Sequence, residues 1–412
     1  MTSRERVYKA LRFEEPDRVP VDIGGTLVTG IHMDQYAMLC EKTGLDLTPP
    51  KVFEQLLMVA KTDPQMLTWL GSDVLNLENT VQNWGYHNED WKMWRSNRGN
   101  NMLVPRDFNY VKDERGYTYL INADGERCAQ MSPNSDYFDF TLDSTLHDDI
   151  EYIDIKKFRE SLPDLKDEHL ERLQKRAKFY HENTTFSLHG GFLNKNLFTT
   201  GGVAGYNFTD LVVLIQTEPE YIKEIVMTQA EWQLNNLRRY MQAVGPYVDS
   251  VLISTSDFGG QKCELIRPES FRDIYMPAYK MLCDHIHECS DAKTLSHCCG
   301  SIRHIIPYMI EAGIDCLNPV QTSAGGMDAA ELKAEFGGKI VFWGGGIDTQ
   351  HTLPHGTPED VREMVKERIK IFAPGGGFIF TQIHNLQADV PFENVVAMLD
   401  AVKEFGSYPI VK

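Results

Sequence analysis

Short apolar runs of four or five residues recur along the chain, at 19–23, 74–77, 185–188, 250–254, 293–296, 314–317, 339–343 and 378–381. Most of the spans between them carry apolar residues at helical spacing. These are 269–288, 301–312, 328–336, 358–372, 391–405 and a long stretch, 209–241, broken near Thr217-Glu-Pro219. A further helix is expected over about 52–70, before the second run. Runs bounded by turn residues and separated by helical periods read as strands of parallel β/α units. Eight such strands are the number that closes a ring, so the pattern predicts a (β/α)8 TIM barrel rather than an open sheet.

Local chemistry at the helix ends agrees. Thr357-Pro-Glu-Asp360 offers an N-cap threonine, a proline at the first helical position and acids in the first turn. Arg267-Pro-Glu-Ser and Pro391-Phe-Glu-Asn are similar, and Gly313 and Gly337-Gly338 stop helices just before strands. One stretch breaks the alternation. Residues 82–144 are polar, carry Trp84, Trp91 and Trp94, and contain a hairpin pattern turning at Asp124-Gly125. This reads as a β-rich insertion between the second and third strands of a single barrel spanning 1–412. It is placed to form a lid or substrate wall, or simply a surface β unit.

Charge narrows the function. The 412 residues carry a formal net charge of −18, and no Lys/Arg-rich run or phosphate-loop signature appears. That argues against a nucleic-acid partner, which needs a basic footprint. The N-terminal segment is charged and amphipathic, with no apolar signal region, and no apolar stretch approaches the length of a membrane span. Eight scattered cysteines without a C-x-x-C pair suit reduced thiols, so a cytoplasmic location is expected.

The candidate chemistry sits at the ends of predicted strands, where barrel active sites are built. In Leu295-Ser-His-Cys-Cys-Gly300 the strand period points His297 and Cys299 to one face and Cys298 to the other. His384 follows the last strand. One thiol and two imidazoles meeting there can hold zinc with a position left open. A buried His and Cys packed in the barrel wall satisfy the same spacing. Asp257, before two glycines, suits a base, a metal ligand or a hydrogen-bond anchor, and equally a turn. Gly344, Gly345 and Gly346 after the seventh strand suit a close backbone approach to a cofactor, and Asn385 beside His384 adds a polar group.

Taken together, these motifs resemble the uroporphyrinogen decarboxylase superfamily, and most of all its corrinoid-dependent methyltransferase branch. The resemblance runs from Arg4-Glu-Arg-Val-Tyr-Lys-Ala-Leu-Arg-Phe and Pro16-Asp-Arg-Val-Pro20 through Asp257-Phe-Gly-Gly-Gln261 and His297-Cys-Cys-Gly300. It continues in Gly313-Ile-Asp-Cys-Leu-Asn-Pro-Val-Gln321, Trp343-Gly-Gly-Gly-Ile-Asp348 and His384-Asn-Leu-Gln-Ala-Asp-Val-Pro-Phe-Glu-Asn394. The resemblance implies a barrel of this kind, often dimeric. It also implies zinc held through an H-x-C pair, matched by His297 and Cys299, and a later cysteine whose place is taken here by His384.

Exchanging that cysteine for histidine leaves more positive charge on the metal and makes it the stronger Lewis acid. The expected activity is therefore transfer of methyl from an O-methyl donor, a methyl aryl ether, to a cobalt corrinoid; the tryptophans of the insertion suit an aromatic pocket and equally a core. No D-x-H-x-x-G corrinoid segment occurs, so the cobalt cofactor should arrive on a separate carrier protein. Methyl transfer to a small thiol is the alternative. A non-enzymatic corrinoid- or tetrapyrrole-binding role ranks lower. So does decarboxylation of a many-propionate substrate, because no Arg or Lys lies between Arg18 and Lys42.

Overall fold

Seven strands pair as a parallel ladder in chain order. They are Val74–Leu77, Ser187–Gly190, Ser250–Ser254, Lys293–His297, Cys316–Asn318, Val341–Trp343 and Phe378–Ile379. They are seen in a computed structural model that describes residues 1–79, 86–122, 125–140, 145–192, 196–199 and 201–411. The eighth position belongs to 19–23, which makes no ladder of its own but completes the ring. Val21 bridges Phe380 in parallel. Phe380 N–H donates to Pro20 C=O at 2.8 Å and Asp22 N–H to Phe380 C=O at 2.9 Å. On the other side Asp73 N–H donates to Val21 C=O at 2.6 Å. Pro20 has no N–H to give, which is one reason this staff of the barrel stays irregular.

Alternation along the strands sends Val74, Leu252, Leu295, Cys316, Val341, Trp343 and Ile379 into one buried cluster. Val7, Ala10 and Leu11 join that cluster, so the first helix, Ser3–Ala10, stops the barrel like a cork. Its Arg4 N–H donates to Thr185 C=O, just ahead of the Ser187–Gly190 strand, which fixes the cork at the N-terminal end. Access to the barrel is therefore from the opposite end. The outward faces pack against the helices, among them Pro219–Val244, Met276–Cys289, Pro358–Phe372 and Phe392–Phe405. Pro358–Phe372 starts as its sequence dictates, with a reciprocal Thr357/Asp360 cap.

Two expected helices are corrected. The span 52–70 is helical only over Pro64–Leu70, capped by Asp63. Val52–Glu54 and Val59–Ala60 instead pair antiparallel with each other, and Val59–Ala60 also pairs with Ile31–His32. Their apolar spacing fits either period, and pairing with Ile31 decides it. The 301–312 helix shortens to Ile306–Glu311, because Ser301 N–H is tied to Gly260 C=O. The insertion is β-rich, as a hairpin of Trp91–Arg95 with Asn101–Pro105 and a four-stranded antiparallel sheet from Asn109–Lys112 to Asp139–Phe140. The strands flanking the expected Asp124-Gly125 turn are Thr118–Ile121 and Arg127–Met131. Trp84 and Asp124 lie outside the described residues. Trp94 packs edge-on to Phe108 in the core, the second of the two roles its sequence suits, and Lys51 lies over Trp91.

Asp73, with no exposure, is the anchor of the corked end. Its carboxylate accepts from Arg6 Nη1 at 2.7 Å, Arg18 Nη1 at 2.8 Å, Ser3 Oγ at 2.7 Å and Val21 N–H at 2.9 Å. Removing one partner of a buried ion pair strands the others without compensation. Asp73→Ala should lower unfolding stability by about 3 kcal/mol. Urea unfolding checks it through a lower midpoint at unchanged slope; a loss under ~1 kcal/mol would contradict this role.

Candidate functional site at the barrel mouth

The Lys293–His297 strand ends at His297, and two residues on, Cys299 turns onto the same face. The turn between them is tight. A Cβ on Gly300, at φ +87°, would sit 2.3 Å from Gly259 C=O, and one on Gly259 would sit 2.7 Å from Cys299 C=O. Only glycine lets these two strand-end loops touch. Cys298 points the other way, into the core, where its sulfur accepts the Phe258 N–H at 3.2 Å.

His384 comes from the other side of the ring. Its segment runs on past the last strand, held on one edge by Ile347 and on the other by Gly30 and His32 through Leu386. Thr349 Oγ1 also bonds the Ile383 carbonyl. His384 sits at φ +68°, a conformation that costs a non-glycine residue about 1 kcal/mol. The pinned flanks maintain it, and it turns the imidazole toward His297. The two rings lie 5.5 Å apart, centroid to centroid, at 69°. One ligand atom from each of His297, Cys299 and His384 lies within 4.8 Å of the others. His297 Nε2 and Cys299 Sγ are 3.3 Å apart.

A second layer sets the protons. Asn318 Nδ2 donates to Trp343 C=O at 2.8 Å, so its Oδ1 is the acceptor facing His297 Nδ1 at 2.6 Å. Nδ1 therefore carries the hydrogen, and the Nε2 lone pair faces the cluster. Asp257 Oδ1 accepts the Cys299 N–H at 2.7 Å, which orients the loop; Asp257 is not one of the three converging residues. Burial, and then the Asp257 charge, push the Cys299 thiol well above its ordinary range. Burial and then His297 push the His384 imidazole down to about 4. Burial lowers His297 too, against the pull of Asp257 and Asn318. Left alone, the cluster is a neutral thiol with two neutral imidazoles, the thiol donating to His297 Nε2. A divalent cation would ionise the thiol. Adjacent ligand atoms of a tetrahedral zinc site stand roughly 3.5 Å apart, so the donor types and the His297–Cys299 spacing fit that ion.

Cys299, His384 and Asn385 line a cavity of about 580 Å³ whose walls also include Gln261, Gln321 and Thr349. The outer wall comes from the insertion, as Arg98, Asp136 and Tyr137. Gly344, Gly345 and Gly346 do not reach it. A Cβ on Gly345 would press on Val320, and one on Gly346 would strike the Phe380 ring at 2.4 Å. The glycine run thus packs closely against the barrel's own wall. Sequence reading missed Asn318, though a polar residue closing an apolar strand was its signal. It also missed Asp22, linked to Asn318 through Trp343, and Arg98, which nothing local distinguishes.

A parallel β/α barrel whose C-terminal mouth gathers one thiol and two imidazoles within ligand distance is a barrel protein with a candidate metal centre. The uroporphyrinogen decarboxylase (URO-D) family model matches residues 197–405, and the chain belongs to that family. A methylated-thiol–coenzyme M methyltransferase of Methanosarcina mazei is 27% identical over 140 residues, 34% of each chain. A uroporphyrinogen decarboxylase of Psychromonas ingrahamii is 33% identical over 80 residues, 19% of this chain and 22% of that one. The matches thus span 34% or less of these curated relatives. A solved methyltransferase from Methanosarcina mazei superposes with TM-score 0.55 over 98% of this chain and 99% of its own; at 16% identity this is a likeness of fold. Among the described residues no helix is long and apolar enough to cross a membrane.

Trp343, whose carbonyl accepts from Asn318, donates Nε1 to Asp22 Oδ2 at 2.7 Å, and Thr29 Oγ1 and Gly25 N–H complete the carboxylate's partners. Burial pushes Asp22 up to about 7 against the pull of those donors. The folded chain therefore holds this proton more tightly than the unfolded chain. That contribution to stability is full below about pH 4 and is lost as pH rises to about 7. Asp22→Asn should flatten the fall in urea midpoint between pH 4 and 7 relative to wild type. Parallel pH profiles for the two proteins would refute the assignment.

Proposed function

We propose that the chain is a corrinoid-dependent methyltransferase that takes methyl from an O-methyl donor, a methyl aryl ether, and passes it to the Co(I) corrinoid of a separate carrier protein. The carrying observation is the convergence of His297, Cys299 and His384 at the open end of the barrel. The methyl carbon–oxygen bond breaks, the ether oxygen keeps the electron pair, and the carbon bonds to cobalt. Bound zinc supplies Lewis acidity toward that oxygen, which lowers the cost of the departing negative charge. The chain's own residues do the rest. His297, Cys299 and His384 offer the ligand atoms. Asn318 fixes the His297 tautomer, and Asp257 holds the Cys299 loop. The corked end leaves the mouth as the face for both donor and carrier.

The family membership and the methyltransferase likenesses support this reading. Two imidazoles and one thiolate leave about one positive charge on a bound zinc, favouring an oxygen leaving group. Transfer to a small thiol is the second reading, favoured by the methylated-thiol relative. Decarboxylation of a poly-anion is disfavoured by the cavity, because Arg98 is the one cationic side chain among its described lining residues. Arg18 is committed to Asp73 at the far end.

Elemental analysis of the purified protein should find about one zinc per chain, lost in His384→Ala. Methyl transfer to cob(I)alamin should fall at least ~100-fold with it. Metal retained while activity is lost would recast His384 as a proton donor or substrate anchor. An active protein without metal would sink the zinc role.

A further inference from the structure

The outer wall of the cavity is built as a rigid, charge-committed surface. The turn of the Trp91–Arg95/Asn101–Pro105 hairpin, residues 96–100, is stapled to two places. Ser96 Oγ and Asn100 Nδ2 donate to Asp34 Oδ1 at 2.7 and 2.6 Å, and Asn97 Nδ2 donates to Ser135 C=O at 3.0 Å. Arg98, on that turn, gives two hydrogen bonds to Asp136 Oδ2, from Nε at 2.9 Å and Nη2 at 2.7 Å. Asp136 is itself held, its backbone carbonyl 2.8 Å from His32 Nε2. Asp34 and Asp389 add their fields at the same guanidinium. The described lining therefore carries two carboxylates, Asp136 and Asp389, against one cation, a net negative wall. An incoming carboxylate would compete for a guanidinium already over-compensated.

The inner wall carries a complementary signal. Asn385, 1% exposed and beside His384, has neither Nδ2 nor Oδ1 in a hydrogen bond. A buried carboxamide left unpaired costs free energy, unless a ligand satisfies it. A group that both donates and accepts, such as a hydroxyl, matches its two atoms; a carboxylate can only accept.

We propose that the donor is an uncharged hydroxylated methyl ether, a methoxyphenol whose hydroxyl pairs with Asn385, and that the Arg98–Asp136–Asp389 wall of the insertion rejects donors bearing a carboxylate. This deepens the methyl-transfer reading of the same cavity and rests on it. It also gives the insertion a task, charge selection. Arg98 and Asp136 are specificity residues and Asn385 a substrate-binding one.

The test pairs 2-methoxyphenol, 1,2-dimethoxybenzene and 4-hydroxy-3-methoxybenzoate, each followed by calorimetric binding to the purified full chain and by methyl transfer to cob(I)alamin. Wild type should favour 2-methoxyphenol over the benzoate by at least ~10-fold in both readouts. Asp136→Asn should release Arg98 and bring the two within roughly threefold, while Arg98→Gln should widen the gap. Asn385→Ala should weaken 2-methoxyphenol binding without weakening the dimethoxy compound, which has no hydroxyl. Thermal melts confirm folding of each variant, and the paired Arg98 and Asp136 changes, opposite in sign, exclude a general loss. The benzoate binding as well as 2-methoxyphenol, or an Asp136→Asn ratio equal to wild type, overturns the charge selection. Binding with the predicted selectivity but no transfer to cobalt upholds the selection and overturns the methyl-transfer reading. No binding of any ether overturns both.

Discussion

The buried Asp73 carboxylate ties together pieces of chain that have no ladder to join them. It gathers the first helix through Arg6 and Ser3, and the irregular first staff through Arg18 and the Val21 N–H. It does this one residue ahead of the Val74–Leu77 strand. A barrel needs every strand position filled, and here the position at 19–23 is filled by a proline-containing segment with few ladder bonds. Charge-assisted bonds in a dry setting supply the registration that β-pairing lacks. Because the cork shuts that end, all chemistry is left to the other. The site's geometry is thus a consequence of how the far end is sealed.

At the open end the same logic is repeated with softer contacts. Each of the three converging groups is aimed by a neighbour from a different loop: His297 by Asn318, Cys299 by Asp257, His384 by strand-like contacts on both edges of its segment. Asn318, Trp343 and Asp22 form a buried hydrogen-bonded chain. That chain is costly to bury and is satisfied at each step, as expected where position matters more than stability.

Much of this was legible in the sequence, for a physical reason. Parallel strands all end on one side, so a polar residue just past an apolar run lands at the mouth whatever the details of packing. That is why His297, Cys299 and His384 could be placed before any coordinates. The residues missed are those whose position depends on register between distant segments. Asn318 matters through its facing of His297, and Arg98 reaches the cavity only because the insertion folds back over the barrel. The span 52–70 was misread for the same reason, since its pairing partner Ile31 lies outside any local window. The glycines at 344–346 carried a true signal of close approach, but what approaches is the chain's own Phe380 and Val320.

The closure of the ring by residues far apart in sequence bears on how the molecule is made. Val21 meets Phe380, and Val19 meets Gly406, across more than 350 residues. During synthesis the segment at 19–23 leaves the ribosome early and must wait for nearly all that follows before its second neighbour exists. Until then the growing sheet has an open edge at each successive strand, the kind of edge that recruits other chains. Pairing so distant in sequence is slow to form. The early-made helix, which can dock against Val74–Leu77 and Ser187–Gly190 long before closure, gives the unfinished sheet an apolar cover during that wait.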